Sequence, residues 1–287
     1  MTRGAALIDS RAREFEFHAA DHRAIATLVY DEVGILLPEG KAQLIYGRIA
    51  PRVRACGLGN FTEYVAHIGR DAEERGRAID ALTTNHTSFF RENHHFEDFV
   101  ERIWPSLADR LAKGGRVRLW SAACSSGEEP YSWLMAMFGT DRAAAQRLLK
   151  ADLRLLATDV SPSVLNTART GRYSKETMRT VPASLRSVWT RGEGDGLVVD
   201  PVLRDAVAFR PLNLLGDWPF TGRFDTIFCR NVMIYFDEPT KERLLARLGE
   251  RLEVGGMLYI GHSERLIGPV QDKFRCIGRT AYQKIAA

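Results

Sequence analysis

The sequence predicts an α/β protein: a small all-helical N-terminal domain, then a doubly wound, mostly parallel sheet carrying a small antiparallel β insert. Three observations predict it. Apolar residues recur at helical spacing as far as Leu82. Beyond residue 115, strand-like apolar runs alternate with helical stretches, the pattern of a parallel sheet with helices on its faces. Where the alternation begins, Leu119-Trp-Ser-Ala-Ala-Cys-Ser-Ser-Gly-Glu-Glu-Pro-Tyr-Ser-Trp133 reads as a buried strand, a small-residue turn and a helix start.

That stretch organises the chain. Val117, Leu119 and Trp120 are the β-favouring part. Ser121 to Gly127 are all small, which lets a ligand approach the backbone. Glu128, Glu129 and Pro130 then suit the positive N-terminal end of a helix. Strand, loop and helix start make the nucleotide-binding corner of an open α/β sheet, or an ordinary βα turn with a charged helix start. Two glutamates there would repel a phosphate and suit hydroxyls or a positive charge. S-adenosylmethionine, with an ammonium, a sulfonium, a ribose and no phosphate, has that chemistry.

Taken in order, residues 1 to about 18 have no periodicity and read as a loose arm. Ile25, Leu28, Val29 and Val33 mark a first helix, and Leu44, Ile45, Ile49 and Val53 a second over residues 41–56. Pro51 should kink or split the second, because it removes an amide donor. Arg48 and Arg52, four apart, share a face that is either a solvated helix surface or a docking face for an acidic partner. Two more helices are expected over 61–68 and 72–82.

Residues 83–96 join the two domains. Asn85 and Thr87 offer hydrogen bonds, Phe89 and Phe90 apolar walls, and Arg91 a forked cation for a carboxylate. The same residues also read as a linker whose aromatics pack under the next helix. His86, His94 and His95 with Glu92 and Glu97 could suggest a metal, but their spacings fit no recognised ligand set, and none is expected.

Strands are then expected over 116–121, 153–158, 207–211, 224–229 and 257–260, with helices over 129–138, 141–152 and 240–252 and a closing hairpin over 274–277 and 280–284. Asp159, at the end of the second strand, is placed to take a ribose or to cap the following helix. The insert is placed over about 186–212, around the turn Gly192-Glu-Gly-Asp-Gly196, whose acids count against a phosphate loop. Asn213-Leu214 and Arg230-Asn-Val-Met-Ile-Tyr235 follow strand ends, where such sheets bind ligands.

Composition excludes several classes. The 287 residues are 45% hydrophobic and 26% charged, ordinary for a globular protein, and hold no apolar run of membrane-spanning length. The net charge of +4 is weak evidence for nucleic acid. Cys56, Cys124, Cys229 and Cys276 match no zinc spacing and suit a reducing cytoplasm.

Assembled, the chain resembles the chemotaxis receptor methyltransferases, the CheR family. The likeness spans residues 25–283 and rests on Leu82-Thr-Thr-Asn-His-Thr-Ser-Phe-Phe-Arg91, Trp120-Ser-Ala-Ala-Cys-Ser-Ser-Gly-Glu-Glu-Pro-Tyr131, Ala157-Thr-Asp159, Asn213-Leu214 and Cys229-Arg-Asn-Val-Met-Ile-Tyr235. It implies a Rossmann-like class I methyltransferase sheet over 92–287 after a helical domain and linker over 1–91. It implies methyl transfer from S-adenosylmethionine, leaving S-adenosylhomocysteine, to glutamates on the cytoplasmic helices of chemoreceptors. Asn85, Thr87, Arg91, Glu129, Asp159, Asn213, Leu214, Arg230 and Asn231 would surround the cofactor. Arg91 and Tyr235 would border the transferred methyl, and Arg48 and Arg52 would meet the receptor. A cytoplasmic monomer without nucleic acid or membrane insertion is expected. The turn at 192–196 looks shorter than in members that hold a receptor's C-terminal peptide, so no such tether is expected here. Two other readings stand beside this one: a methyltransferase of nucleic acids or small molecules, and a catalytically silent, cofactor-sensing interaction module.

Overall fold

A computed structural model of the protein describes residues 14–287, so most of the expected N-terminal arm lies outside the described residues. The chain divides into two compact units after Thr83.

The described residues of the first unit hold four α-helices: α1 (Ala19–Val33), α2 (Ala42–Ala55), α3 (Phe61–Ile68) and α4 (Ala72–Leu82). Asn60 and Asp71 begin α3 and α4 by accepting hydrogen bonds from first-turn backbone N–H groups, as side chains with short acceptors do. The core is the expected stripes: Ile25 and Val29 of α1 and Ile45, Ile49 and Val53 of α2 are buried with Phe61 and Tyr64. Contrary to the expected split, α2 runs unbroken through Pro51. Ile45, Ile49 and Val53, all fully buried, anchor the helix on both sides of the missing amide.

The second unit opens with α5 (His94–Asp98), which passes through a π turn (Phe99–Ile103) into α6 (Trp104–Ala112). Then come β1 (Arg116–Ala122), α7 (Glu128–Phe138), α8 (Arg142–Lys150), β2 (Asp152–Asp159), α9 (Pro162–Thr170) and β3 (Arg172–Ser174). After these come α10 (Ala183–Trp189), β4 (Thr190–Glu193), β5 (Gly196–Val199), α11 (Pro201–Asp205) and β6 (Val207–Pro211). The chain ends with β7 (Phe224–Cys229), α12 (Glu238–Glu250), β8 (Leu252–Ile260), β9 (Phe274–Gly278) and β10 (Ala281–Lys284). The large sheet runs β6-β2-β1-β7-β8-β10-β9. Its first five strands are parallel, and the closing hairpin is antiparallel. The chain leaves β1 towards β2 and β6, then returns on the other side to β7, so the order reverses between β1 and β7. Ligands bind at such a reversal, beyond the carboxyl ends of the strands. Trp133 of α7 stacks on Phe228 of β7 at 4.1 Å between ring centroids, locking the first helix onto the central strands.

Three expected boundaries move. Residues 85–91, placed with the helical domain, belong to the sheet unit, because Asn85 O accepts from Ser125 Oγ and Phe90 N–H donates to Ser132 Oγ. The small antiparallel sheet, β3-β5-β4, begins at Arg172 rather than near 186. Residues 207–211 pair with β2 in the large sheet and lie outside the insert. No helix among the described residues is long and apolar enough to cross a membrane.

Candidate functional site

The carboxyl ends of β1, β2, β6 and β7 bring most of the predicted residues together. After β1 the chain turns through Ala123 and Ser125, both with φ near the left-handed region. The turn is pinned to β2: Cys124 N–H donates to Thr158 O and Ser125 N–H to an Asp159 carboxylate oxygen, each at 2.9 Å. Gly127 starts α7 at φ 96, and a Cβ there would lie 2.8 Å from the Ala168 Cβ. Its smallness therefore serves the packing of α7 on α9.

Asp159, buried, takes its second backbone donor from Ser161 N–H at 3.0 Å, which holds its carboxylate at the sheet edge; the cap of α9 is Ser161, whose hydroxyl accepts from Val164 N–H, and not Asp159. Its carbonyl accepts from Leu212 N–H, which seats the Leu212-Asn213-Leu214 turn beside it. Asn213 closes that turn on Leu215 N–H, and Leu214 is buried.

Glu129 stands at the reversal point. One carboxylate oxygen accepts from Ser121 Oγ at 2.7 Å and the other from Arg230 at 3.1 Å. Burial raises its pKa above the usual carboxylate range, against the pull of Arg230 and Ser121. Arg230, expected among the residues around the cofactor, is a buried strut with a side chain 2% exposed. It binds Glu129, sits 3.3 Å from Glu92, donates to the Arg91 carbonyl and lies over the Phe96 and Phe228 rings. A buried guanidinium is tolerable only with such partners.

Glu92, weighed in the sequence only as part of a metal cluster, and Glu264, which sequence reasoning missed, complete the frame. Glu92 accepts from Asn231 Nδ2 and His262, and Glu264 accepts from the backbone N–H of Asn231, Met233 and Gly261. Burial pushes the Glu92 pKa up, but His262, Arg230 and Asn231 outweigh it and hold it at about 2. The available signals were Glu92's place next to Arg91 and the polar run Gly261-His-Ser-Glu264 just past a strand. Phe90, Glu92 and Asn231 also have positive φ, so five of the six such non-glycine residues described lie in these loops, the concentration expected of a strained site.

Arg91 is positioned by one hydrogen bond, from a terminal nitrogen to His86 O at 2.9 Å, and has no carboxylate partner among the described residues. Tyr235, in a short turn after β7, is half-buried with its hydroxyl unpartnered among the described residues. Thr87 is half-buried on the same 85–91 segment. His95 is fully buried and bonded to Arg279 O; burial, with Arg230 nearby, lowers its pKa to about 4, which keeps it neutral.

Arg48 and Arg52, in the helical unit, do not form a free basic face. Arg48 donates to the Leu82 and Thr83 carbonyls at the end of α4. Arg52 grips buried Glu74 of α4 through two bonds of 2.9 and 2.5 Å. Both guanidiniums brace α2 against α4.

Comparison with known proteins decides the family. Residues 85–283 match the family model described as CheR methyltransferase, SAM binding domain, and residues 20–83 match CheR methyltransferase, all-alpha domain. The chain belongs to the CheR methyltransferase family. It is 42% identical over 262 residues to the probable chemotaxis protein methyltransferase of Rhizobium etli, covering 89% of this chain and 96% of that one. It is 40% identical to chemotaxis protein methyltransferase 2 of Pseudomonas aeruginosa, covering 94% and 95%. It is 39% identical to the chemotaxis protein methyltransferase of Escherichia coli, covering 92% and 90%. As a CheR methyltransferase it carries its S-adenosylmethionine-binding domain on the sheet unit.

Proposed function

We propose that this CheR methyltransferase forms methyl esters on glutamate side chains of chemoreceptor cytoplasmic helices. The observation that carries the reading is Arg91: a half-buried guanidinium with no carboxylate partner among the described residues, on the segment bonded to the site loops. A substrate carboxylate is the partner its fork fits.

The donor set suits S-adenosylmethionine. Glu129, its side chain 12% exposed, and buried Asp159 would repel a phosphate and favour an ammonium and ribose hydroxyls. Each Glu129 oxygen has one hydrogen bond from the protein and accepts about two, so capacity remains for a ligand. In this reading Glu129 and Asp159 hold the polar groups, Asn213 and Leu214 the adenine edge and face, and Asn85 and Thr87 the opposite wall. Arg230 and Asn231 act at one remove, Arg230 by aiming Glu129 and Asn231 by tying the loop after β7 to Glu92 and Glu264.

The bound sulfonium supplies a methyl group already activated for transfer. The protein therefore needs no general base, because a glutamate with a pKa of about 4.3 is ionised at neutral pH. Arg91 aligns one substrate oxygen. Gripping both would stabilise the ground state and slow the reaction, so its anchor on His86 O, which holds back one terminal nitrogen, serves turnover. Tyr235 walls the methyl path or donates to the substrate. The short β4–β5 turn argues against capture of a receptor's C-terminal peptide, and calorimetry with such a pentapeptide checks this, saturable binding being the result against it.

The deciding experiment is transfer of label from methyl-labelled S-adenosylmethionine to a chemoreceptor cytoplasmic fragment, followed by mild base. Label released as methanol is expected. Label that resists base would mean a different acceptor, and cofactor binding without transfer to receptors of the same organism would mean a sensing module.

A further inference from the structure

One cavity of the sheet unit lies outside the candidate site. It is about 240 Å³, lies against edge strand β6, and is lined by Arg169, Arg204, Asp205, Val207, Phe209 and Arg210. Three guanidiniums thus face one carboxylate, and none of the three is ion-paired among the described residues. Their hydrogen bonds go to backbone carbonyls. Arg169 and Arg210 both donate to Phe209 O, at 3.3 and 2.8 Å, which sets two like charges side by side. Arg204 donates to Thr170 O at 3.2 Å.

Arg204 is fixed in place by the backbone. Gly171, φ 63, ends α9, and a Cβ there would lie 2.8 Å from the Arg204 Cδ, so only glycine lets this side chain pass beneath the turn. The negative end of α9 accounts for one cation in this position. It does not account for three.

We propose that this cavity is an anion site for a phosphate-bearing small ligand, held by Arg169, Arg204 and Arg210 above a floor of Val207 and Phe209. Tethering each fork by one nitrogen leaves its other N–H groups for phosphate oxygens, the geometry that arginine clusters use. The volume falls below the roughly 300 Å³ at which drug-sized pockets begin, so the site takes a phosphate or diphosphate group rather than a whole cofactor. Arg210 and Pro211 run directly into Leu212-Asn213-Leu214. Given the adenine role proposed for that turn, an anion here would act next to the cofactor.

The test is calorimetric titration of the full chain with inorganic pyrophosphate at constant ionic strength, which needs no methyl transfer. Saturable one-to-one binding is expected, weakened about tenfold or more by Arg204→Gln and by Arg210→Gln and unchanged by Arg147→Gln on α8. Arg210 is exposed, so its variant should fold even if loss of Arg204 loosens α9. ADP binding tighter than pyrophosphate would name a nucleotide as the source of the phosphate, and equal binding would name the inorganic anion. Absence of saturable heat at millimolar pyrophosphate, binding that survives both substitutions, or displacement by S-adenosylhomocysteine would each overturn the proposal. So would a poly-glutamate peptide that outcompetes pyrophosphate, since the cleft would then be a protein-docking surface.

Discussion

At Arg91 one terminal nitrogen is committed to the His86 carbonyl while the rest of the fork has no acid to meet among the described residues. Replacing it with alanine should therefore leave the fold intact. It should lower kcat/KM on a receptor fragment by about 10²-fold or more, the scale of a lost positioning contact. Lysine should restore only a fraction, because a point charge cannot reproduce the anchored fork. Near-normal turnover in Arg91→Ala would remove Arg91 from the chemistry. Arg230 should behave in the opposite way. Its charge is buried between Glu129 and Glu92, so Arg230→Met strands two carboxylates and should cost about 3–5 kcal/mol in urea unfolding, with cofactor binding lost alongside. Both arginines were visible in the sequence as polar residues beside strand ends, yet only burial separates a side chain that meets substrate from one that holds the wall. The framing roles of Glu92 and Glu264 escaped notice for the same reason: their partners are far away in sequence, and nothing local marks either as enclosed.

The helices and strands were legible wherever one face is buried. The stripes of α1 and α2, the full extents of α3 and α4, and the strands β6 and β7 follow from periodicity and bounding turn residues. The small sheet began too late because Arg172-Tyr-Ser174 is too short to show alternation, and its pairing to β5 spans an intervening helix. The role of α2's arginines was illegible because Glu74 lies 22 residues beyond Arg52. That pair carries its own prediction. Burial raises the Glu74 pKa, but Arg52 and Tyr64 outweigh it and bring it to about 2 from 4.5. A depressed carboxylate stabilises the fold above its unfolded pKa and loses that contribution as pH falls through the folded value. The stability from Glu74, at most about 3 kcal/mol, should thus be whole above pH 4.5 and fade towards pH 2. Arg52→Ala should cost roughly 2–3 kcal/mol at pH 7 by urea unfolding, and pairing it with Glu74→Leu should recover much of this. If Arg52→Ala weakened receptor binding at unchanged stability, the guanidinium would be a docking group after all.

Across the whole molecule the buried carboxylates pull in two directions. Glu74 and Glu92 are depressed by their partners, whereas burial raises Glu128, Glu129 and Glu264. A raised carboxylate stabilises the fold when protonated and loses that contribution as pH rises through its folded value, so mild acid should relieve the second group before it harms the first. Cofactor binding has no such relief. If Glu129 takes a cationic or hydroxyl-bearing group, it must be ionised to do so, and its raised pKa brings the loss of binding to a higher pH than the loss of fold. Calorimetry with S-adenosylhomocysteine, which keeps the ammonium, should show Kd rising by up to tenfold per pH unit once the pH passes below the raised value. Circular dichroism should stay native over that range. Because the ligand favours the ionised form, binding there should also release a proton, visible as a heat that varies with the buffer. Glu129→Gln should bind weakly at neutral pH with a flat profile and no proton release. A wild-type affinity that falls only where the fold itself melts would separate Glu129 from the ligand and leave it, with Arg230, as part of the wall.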